Sequence, residues 1–409
     1  MSSPPRPVPA AAPWAEPMFS FGITGTNGKT STTHLLAAIL RAAGHSTLNL
    51  GTLGLWLDDE PIARGKTFSD FLATMQYVAS RGCRHAAIEL TSLGLAQGYA
   101  RAWRFDMGVF TNLSPDHFKT HGSWEHYLAA KAQLFVQLGP GRTAVFNAGD
   151  PSSLMIDQAT PADVERRWFH APHRGERLHA AELAAREIEV SITGTRVRLV
   201  PSPAAEALGG ELHTAMIGEV FGENALAAAL AALAHGLPGE AIVRGLASCP
   251  VAKGRFEVIA HAPIVAIDYA HSPDALLHTC ATARRLAGDH RVIVVFGAGG
   301  DSTPEKREPM GELVGSHADL AIVTNDNPRN EDPQAIAAML QAGLRRGDRA
   351  RTLVELDRER AIALALEQAD ASDVIVIAGK GHEEGQVVRG RTWPFSDVEV
   401  ARRLLASRS

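Results

Sequence analysis

The 409-residue sequence contains only three cysteines, Cys83, Cys249 and Cys280, and they are far apart. Odd in number and without zinc or disulfide spacing, they suit a reducing compartment and read as packing residues. Long apolar runs are missing as well: no stretch approaches the roughly 20 apolar residues of a membrane helix. A net charge of −5 with 21% charged residues gives neither a nucleic-acid coat nor a strongly charged partner surface. The opening "MSSPPRPVPAAAPWAEP" lacks the apolar core of a secretory signal, so the expected location is cytoplasmic. Six prolines among those 17 residues predict an extended, disordered tail over 1–17, outside the fold.

What is present is alternation. "MFSFGIT" reads as a buried strand and "KTSTTHLLAAILRAAG" as a helix that stops at Gly44. Strand-like and helix-like segments then succeed one another through "HAAIEL", "DMGVFTN", "WEHYLAAKAQLFVQL" and "TAVFN". The pattern predicts an α/β fold, a mostly parallel sheet with helices on both faces. From about 186 to 217 short alternating strands predict a small antiparallel appendage, followed by an alanine-rich helix from about Asn224 to His235. Past "VAKGRFEVI" a second α/β alternation begins, with strands "IVAIDYA", "RVIVVFGAG", "LAIVTND" and "VIVIAGK". The expected organisation is a first α/β domain over 18–256 and a second, Rossmann-like domain over 257–409, with no internal repeat.

The stretch "GITGTNGKT", Gly22 to Thr30, lies between the first strand and its helix. A strict P-loop would place its first glycine at position 23, which is Ile23. The physics survives the offset, because Gly25 and Gly28 let backbone N–H groups approach a polyphosphate at a helix N-terminus. Lys29 would meet the terminal phosphates, and Thr30 would offer a hydroxyl to magnesium. The competing reading of the same residues is a strand-to-helix turn with an ordinary lysine. Two further strand ends gather polar groups: Glu89 in "IELTSLGLAQG", and Asp116 and His117 in "FTNLSPDHF". In open parallel sheets ligands sit beyond the carboxyl ends of strands, and magnesium favours oxygen ligands and phosphate.

Together with "GENALAAA", "GRFEVI", "DYAHSPDAL", "FGAGGD", "TNDNPRNEDP" and "AGKGHEEGQ", these motifs resemble the Mur ligases from about Met18 onward. Within that family they are most similar to the branch that adds the third-position amino acid, typically meso-diaminopimelate, to UDP-N-acetylmuramoyl-L-alanyl-D-glutamate. The resemblance implies a P-loop-type central domain and a Rossmann-like ligase domain, with ATP and magnesium as cofactors. It implies ATP-driven amide formation through an acyl phosphate, in peptidoglycan synthesis. It assigns phosphate binding to Gly25, Thr26, Asn27, Gly28, Lys29, Thr30 and Ser31, magnesium to Thr30 and Glu89, and a second ion to His117. Lys131 would be the family's carbamylated lysine; taken alone it reads as a solvated helix lysine. Asn224 would lie near adenine, or merely cap the alanine-rich helix. Arg255, Asp268 and His271 fall in nucleotide motifs of the C-terminal domain. Asp326, Asn327, Arg329, Gly379 and Glu383 would hold the incoming amino acid, and Thr91, Ser92 and Gln97 the acceptor.

The resemblance breaks at the acceptor. The family begins with a domain that binds uridine diphosphate, and the expectation here is that this domain is missing. Relatives read Ser-Ser-His and Gln-Gly-Arg after the strand-end glutamate; this chain reads Thr91, Ser92, Leu93 and Gln97, Gly98, Tyr99. Their Thr-Thr-Pro is replaced by "GKTFSD", and Ser302 stands where diaminopimelate-adding relatives place a second arginine, with Lys306 and Arg307 retained. The expected partners are an amino acid and a carboxylate acceptor smaller than, or different from, the UDP-muramoyl peptide. Two alternatives stand beside this: the authentic peptidoglycan step with a partner supplying the missing domain, and an ATP-binding scaffold without turnover.

Overall fold

The computed structural model describes residues 14–63, 65, 67–114 and 121–407. They form two compact units. The first comprises Met1–Glu189, Arg196–Ala215 and Val220–Cys249; the second comprises Pro250–Ser409 with the short segments Val190–Thr195 and Met216–Glu219.

The first unit is built on one sheet of β1 (Phe19–Thr24), β2 (Thr47–Gly51), β3 (Gly54–Leu57), β4 (Glu60–Pro61), β5 (His85–Glu89), β6 (Met107–Phe110), β7 (Thr143–Asn147), β8 (Glu165–His170), β9 (Leu183–Ser191), β10 (Gly194–Leu199) and β11 (Glu211–Thr214). Their order is β11-β10-β9-β8-β7-β6-β1-β5-β2-β3-β4. From β9 to β2 neighbouring strands run parallel, and β3 and β4 turn back antiparallel. The apolar runs of β1 and β6 are covered on both faces, as a parallel sheet requires. Chain order diverges on either side of β1, so its carboxyl end is the switch point where a ligand crevice opens.

The helix Trp124–Val136 shows how the core places chemistry. Leu134 and Phe135 pack into the sheet, with the Phe135 ring 5.0 Å from Phe146 and 6.2 Å from Phe110. Tyr127 and Lys131 share that helix face at spacings of three and four, so burying the leucine and phenylalanine carries the lysine inward. The alanine-rich helix spans Glu219–Ala234, five residues earlier than its sequence periodicity suggests. Asn224 therefore sits inside the helix and is not its N-cap.

The second unit contains β12 (Glu257–His261), β13 (Ile264–Asp268), β14 (Val292–Phe296), β15 (Leu320–Val323), β16 (Arg351–Val354) and β17 (Val374–Ala378) in the order β12-β13-β17-β14-β15-β16, plus a hairpin of β18 (Gly385–Val388) and β19 (Arg391–Pro394). All neighbours are parallel except the β12–β13 pair, and β14 and β17 are buried throughout. The helices Arg307–His317 and Pro333–Gly347 meet backbone to backbone. A Cβ at Gly343 would lie 1.9 Å from the Glu308 carbonyl, and one at Gly311 would lie 2.1 Å from that of Leu340. All three cysteines are buried and form no disulfide, and burial pushes the Cys249 and Cys280 thiols up to about 12, as inert packing groups require. Among the described residues no helix is long and apolar enough to cross a membrane.

At the amino ends of β1 and β5, three histidines crowd together. The Nε2 atoms of His85 and His235 are 3.1 Å apart, and the His45 ring is 4.2 Å from that of His85. Burial, followed by His45 and His235, lowers the His85 pKa from 6.5 to about 4. The folded state therefore holds this imidazole neutral while the unfolded chain protonates it. Stability is fully present above pH 6.5 and is lost as pH falls toward 4. After discounting for the half-exposed ring, the expected loss is about 1–2 kcal/mol. Thermal melts of wild type and His85→Gln across this range should show the variant with the flatter acid limb.

Candidate active site

The loop after β1 is fixed through its carbonyls. Thr24 O accepts from Thr111 N (3.0 Å), Gly25 O from Lys131 Nζ (2.6 Å), and Thr26 O from Lys29 Nζ (2.8 Å). Asn27 O accepts from Thr111 Oγ1 (2.6 Å) and Asn112 Nδ2 (3.1 Å), and Gly28 O from Thr32 N (2.9 Å). Thr26 N and Asn27 N in turn donate to Asn112 O (2.8 Å) and Asn112 Oδ1 (3.0 Å), so the turn is tied down on both sides where it enters the helix Lys29–Ala42. Gly28 stands at the N-cap with φ 84° and no capping side chain. A Cβ at Gly25 would lie 1.9 Å from Thr111 Oγ1, and one at Gly28 would lie 2.3 Å from Asn224 Oδ1. Glycine is thus required at both positions, and Asn224 lies directly against the loop.

Beside the loop, the Glu89 carboxylate ends β5. Oε2 accepts from Thr30 Oγ1 (3.0 Å) and Thr52 N (2.8 Å), and Oε1 from Thr52 Oγ1 (2.8 Å). Hydroxyl and carboxylate oxygens side by side are the hard donors magnesium prefers. Lys131 is 1% exposed, with Nζ 4.5 Å from the centroid of the Tyr127 ring. The Tyr127 hydroxyl lies 3.1 Å from Thr26 Oγ1, and the burial of Lys131 overturns its reading as a solvated lysine. Ser31 is buried in the first turn of the helix. Thr91 caps the short helix Ser92–Ala96, and Ser92 Oγ is 2.9 Å from His121 Nε2. Burial, then Lys131, lowers the His121 pKa. Asp116 and His117 lie outside the described residues.

Behind Asn224 is a buried charge cluster with no sequence signal. Arg174 grips Glu223 with three N–H···O contacts of 2.8–3.0 Å, and Asn147 Nδ2 donates both to Glu223 and to Thr111 O. Burial opposes ionisation of Glu223, yet Arg174 and His173 hold it well below the usual carboxylate range. Thr111, Asn112, Thr52, Tyr127 and His121 were also unassigned. The first two, with Tyr127, fall within motifs already quoted, but their residue types alone suggest no role.

In the second unit, Asp268 is buried. Its Oδ2 accepts from Phe256 N (2.7 Å), and Oδ1 from Ala270 N and Thr279 Oγ1 (both 2.9 Å). Burial raises its pKa against the pull of Arg255. The Arg255 guanidinium lies 4.8 Å from the Tyr269 ring centroid, and His271 Nδ1 is 2.8 Å from Tyr269 O. Asp326, Asn327, Gly379 and Glu383 come together around Lys380, a fully buried lysine that sequence reasoning passed over. Its Nζ donates to Asn327 Oδ1 and Glu383 Oε2 (each 3.1 Å), while Asn327 Nδ2 donates to Glu383 Oε2 (2.8 Å). Arg329 adopts φ 50° and donates to Gly300 O (2.6 Å). Arg307 is committed to Gly299 O and Glu331.

These features define a chain in which a phosphate-loop sheet is followed by a Rossmann-like sheet. Residues 23–232 match the Mur ligase middle domain, and residues 254–381 match the Mur ligase glutamate ligase domain. The chain belongs to the Mur ligase family, ATP-dependent enzymes that join a carboxylate to an amine and use magnesium. It is 38% identical over 391 residues to a UDP-N-acetylmuramoyl-L-alanyl-D-glutamate–2,6-diaminopimelate ligase of Solibacter usitatus, covering 94% of this chain and 76% of the relative. To the enzyme of the same description from Chromobacterium violaceum it is 37% identical, covering 94% and 77%. A solved ligase of that description superposes with a TM-score of 0.66 at 31% identity, covering 96% of this chain and 79% of the other. Mycobacterium tuberculosis folylpolyglutamate synthase shares the fold, with a TM-score of 0.70 at 22% identity and coverage of 90% and 89%.

The second unit's loops hang on one ion pair. Arg358 and Asp397, both fully buried, meet through two contacts of 2.7 Å, and the same guanidinium donates to Asn325 O and Ala378 O, the residues preceding Asp326 and Gly379. Asp397→Ala leaves a buried uncompensated cation and should cost about 3–5 kcal/mol in urea denaturation.

Proposed function

We propose that this protein is an ATP-dependent acid–amino acid ligase whose acceptor acid differs from the UDP-muramoyl dipeptide named in its relatives. Residues 18–256 act as the ATP-binding domain and 257–409 as the Rossmann-like ligase domain. ATP phosphates sit on Gly25–Ser31, with Asn224, Arg255, Asp268 and His271 as further nucleotide contacts. Thr30 and Glu89 hold magnesium, with His117 serving a second ion and Lys131 carbamylated. Magnesium is usually held by one or two carboxylates together with phosphates, so the absence of a three-residue His/Cys/Asp/Glu cluster among the described residues is compatible with this site. Asp326, Asn327, Arg329, Gly379 and Glu383 receive the incoming amino acid; Thr91, Ser92 and Gln97 face the acceptor.

The reaction follows from charge. The acceptor carboxylate attacks the terminal phosphorus of ATP and ADP departs, leaving an acyl phosphate. The amine then attacks the acyl carbon, inorganic phosphate leaves with the C–O bonding pair, and the nitrogen loses its proton. Bound magnesium would supply positive charge that offsets repulsion between carboxylate and triphosphate. The chain's own contribution is preorganisation: a glycine loop fixed by Thr111, Asn112 and Lys131 ahead of a helix N-terminus with no capping side chain, with the lysine held at the loop by a 2.6 Å hydrogen bond.

The observation that carries this reading is the convergence of the tied-back loop, the Thr30–Glu89 oxygens and buried Lys131 at adjoining strand ends. Incubation with ATP, magnesium, bicarbonate, amino acids and candidate acids should give phosphate release that needs both acid and amine. Lys131→Ala and Glu89→Gln should each lower it by about 100-fold or more, and Glu89→Gln should also raise the magnesium requirement. Unchanged turnover in Lys131→Ala would remove the metal role assigned to that residue. A second reading retains the relatives' UDP-linked acceptor, supported by 38% identity over 391 residues. It predicts that this dipeptide outperforms every other acid in the assay.

A further inference from the structure

Resting on the ligase reading, the acceptor site has an internal feature that points to what it binds. Along the connection from β5 to β6 lies a cavity of ≈ 270 Å³ lined by Thr67, Phe68, Gln97, Gly98, Tyr99 and Ala102. We propose that it receives the body of the acceptor acid, and that this body is an uncharged ring with a hydrogen-bonding edge.

Three observations converge. The first is charge. None of the six lining residues is ionisable to an anion or cation near neutral pH, and Tyr99 occupies the position of the arginine in the motif it resembles. The helix Phe68–Ser80 opens at this cavity, but its N-terminus is already filled from within. Asp70 Oδ2 accepts from Thr67 N and Thr67 Oγ1, both at 2.8 Å, while Asp70 N donates back to Thr67 Oγ1. An anionic group arriving here would find a carboxylate where it needs free N–H donors.

The second is shape. Phe68 and Tyr99 meet edge to face with centroids 4.8 Å apart, and Phe71 backs both rings at 5.6 and 5.9 Å. Trp103 closes the rear, 5.4 Å from Phe71. This wall is set before any ligand arrives, so little side-chain entropy is lost when a planar group docks on it. The volume falls just below the usual range of small-ligand pockets, enough for one or two rings.

The third is unused polarity. The Tyr99 hydroxyl and the Gln97 amide have no hydrogen-bond partner among the described residues. An amide offers one acceptor and two donors, and a phenol offers one of each, a set suited to a neutral polar ring edge. Gln97 and Tyr99 follow Thr91 and Ser92 on the segment leaving Glu89, so the cavity is continuous in the chain with the residues proposed to face the acceptor.

The test uses the full chain with ATP, magnesium, bicarbonate, and a pool of the common amino acids plus meso-diaminopimelate. Acid probes are N-benzoylglycine, N-acetyl-L-phenylalanine and N-acetyl-L-tyrosine, against N-acetyl-L-aspartate and UDP-N-acetylmuramoyl-L-alanyl-D-glutamate. A ring acid is expected to exceed both anionic-bodied acids in kcat/KM by about 10-fold or more. Phe68→Ala and the exposed Gln97→Ala should each raise its KM by about 10-fold with the KM for ATP within about twofold, and Tyr99→Arg should shift preference toward the anionic probes. Preference for the UDP-linked dipeptide by wild type, or a ring-acid KM unmoved in both Phe68→Ala and Gln97→Ala, overturns the ring pocket and leaves the ligase reading standing. Silence from all five acids while ATP still binds removes the ligase reading, and this proposal with it.

Discussion

Five consecutive carbonyls, from Thr24 to Gly28, are each bonded back into the protein, and the rest of the site depends on that constraint. Asn112 holds the same stretch from the other side, accepting from Thr26 N and Asn27 N, so the loop keeps its shape without a ligand. The tethering atoms come from separate places: Thr111 and Asn112 at the end of β6, Lys131 from the helix that covers the core, and Lys29 from the loop itself. The loop's shape is therefore a property of the whole sheet, reinforced at a distance by the Arg174–Glu223 pair acting through Asn147 on the Thr111 carbonyl.

The two units solve one problem twice. In each, parallel strands stop together and leave short loops at their carboxyl ends, where backbone groups need partners and side chains can reach a ligand. In the first, glycine at close approach and buried cations shape the loop. In the second, Arg358 and Lys380 bind the loops after β15 and β17 from beneath, while Asp268 satisfies the turn after β13. Arg358 is paired with Asp397 and Lys380 with Glu383, which is the condition for tolerating charges buried for this purpose.

Much of this was legible in the amino-acid sequence. Alternating apolar runs and helical periods revealed both sheets, because strand burial and helix amphipathicity leave direct periodic traces. Gly25, Gly28, Lys29 and Thr30 were recognisable because glycine and lysine at a strand-to-helix junction carry a mechanism of their own. Lys131 was misread by composition alone: its burial depends on Leu134 and Phe135 packing against strands remote in sequence. Asn224 looked like a cap because a polar residue ahead of an alanine run resembles a helix start, whereas tertiary packing extends the helix back to Glu219. Arg174, Glu223 and Lys380 left no readable mark, since pairing between distant charges has no local pattern.

The glycine seam between the helices Arg307–His317 and Pro333–Gly347 carries a consequence for how this fold diversifies. Where main chain touches main chain, no rotamer can adjust and no methyl group can be added without parting the pair. The two helices thus behave as one beam. The connecting turns at the strand ends carry no such backbone-to-backbone contact between helices, so side chains there can be exchanged while the scaffold beneath stays the same.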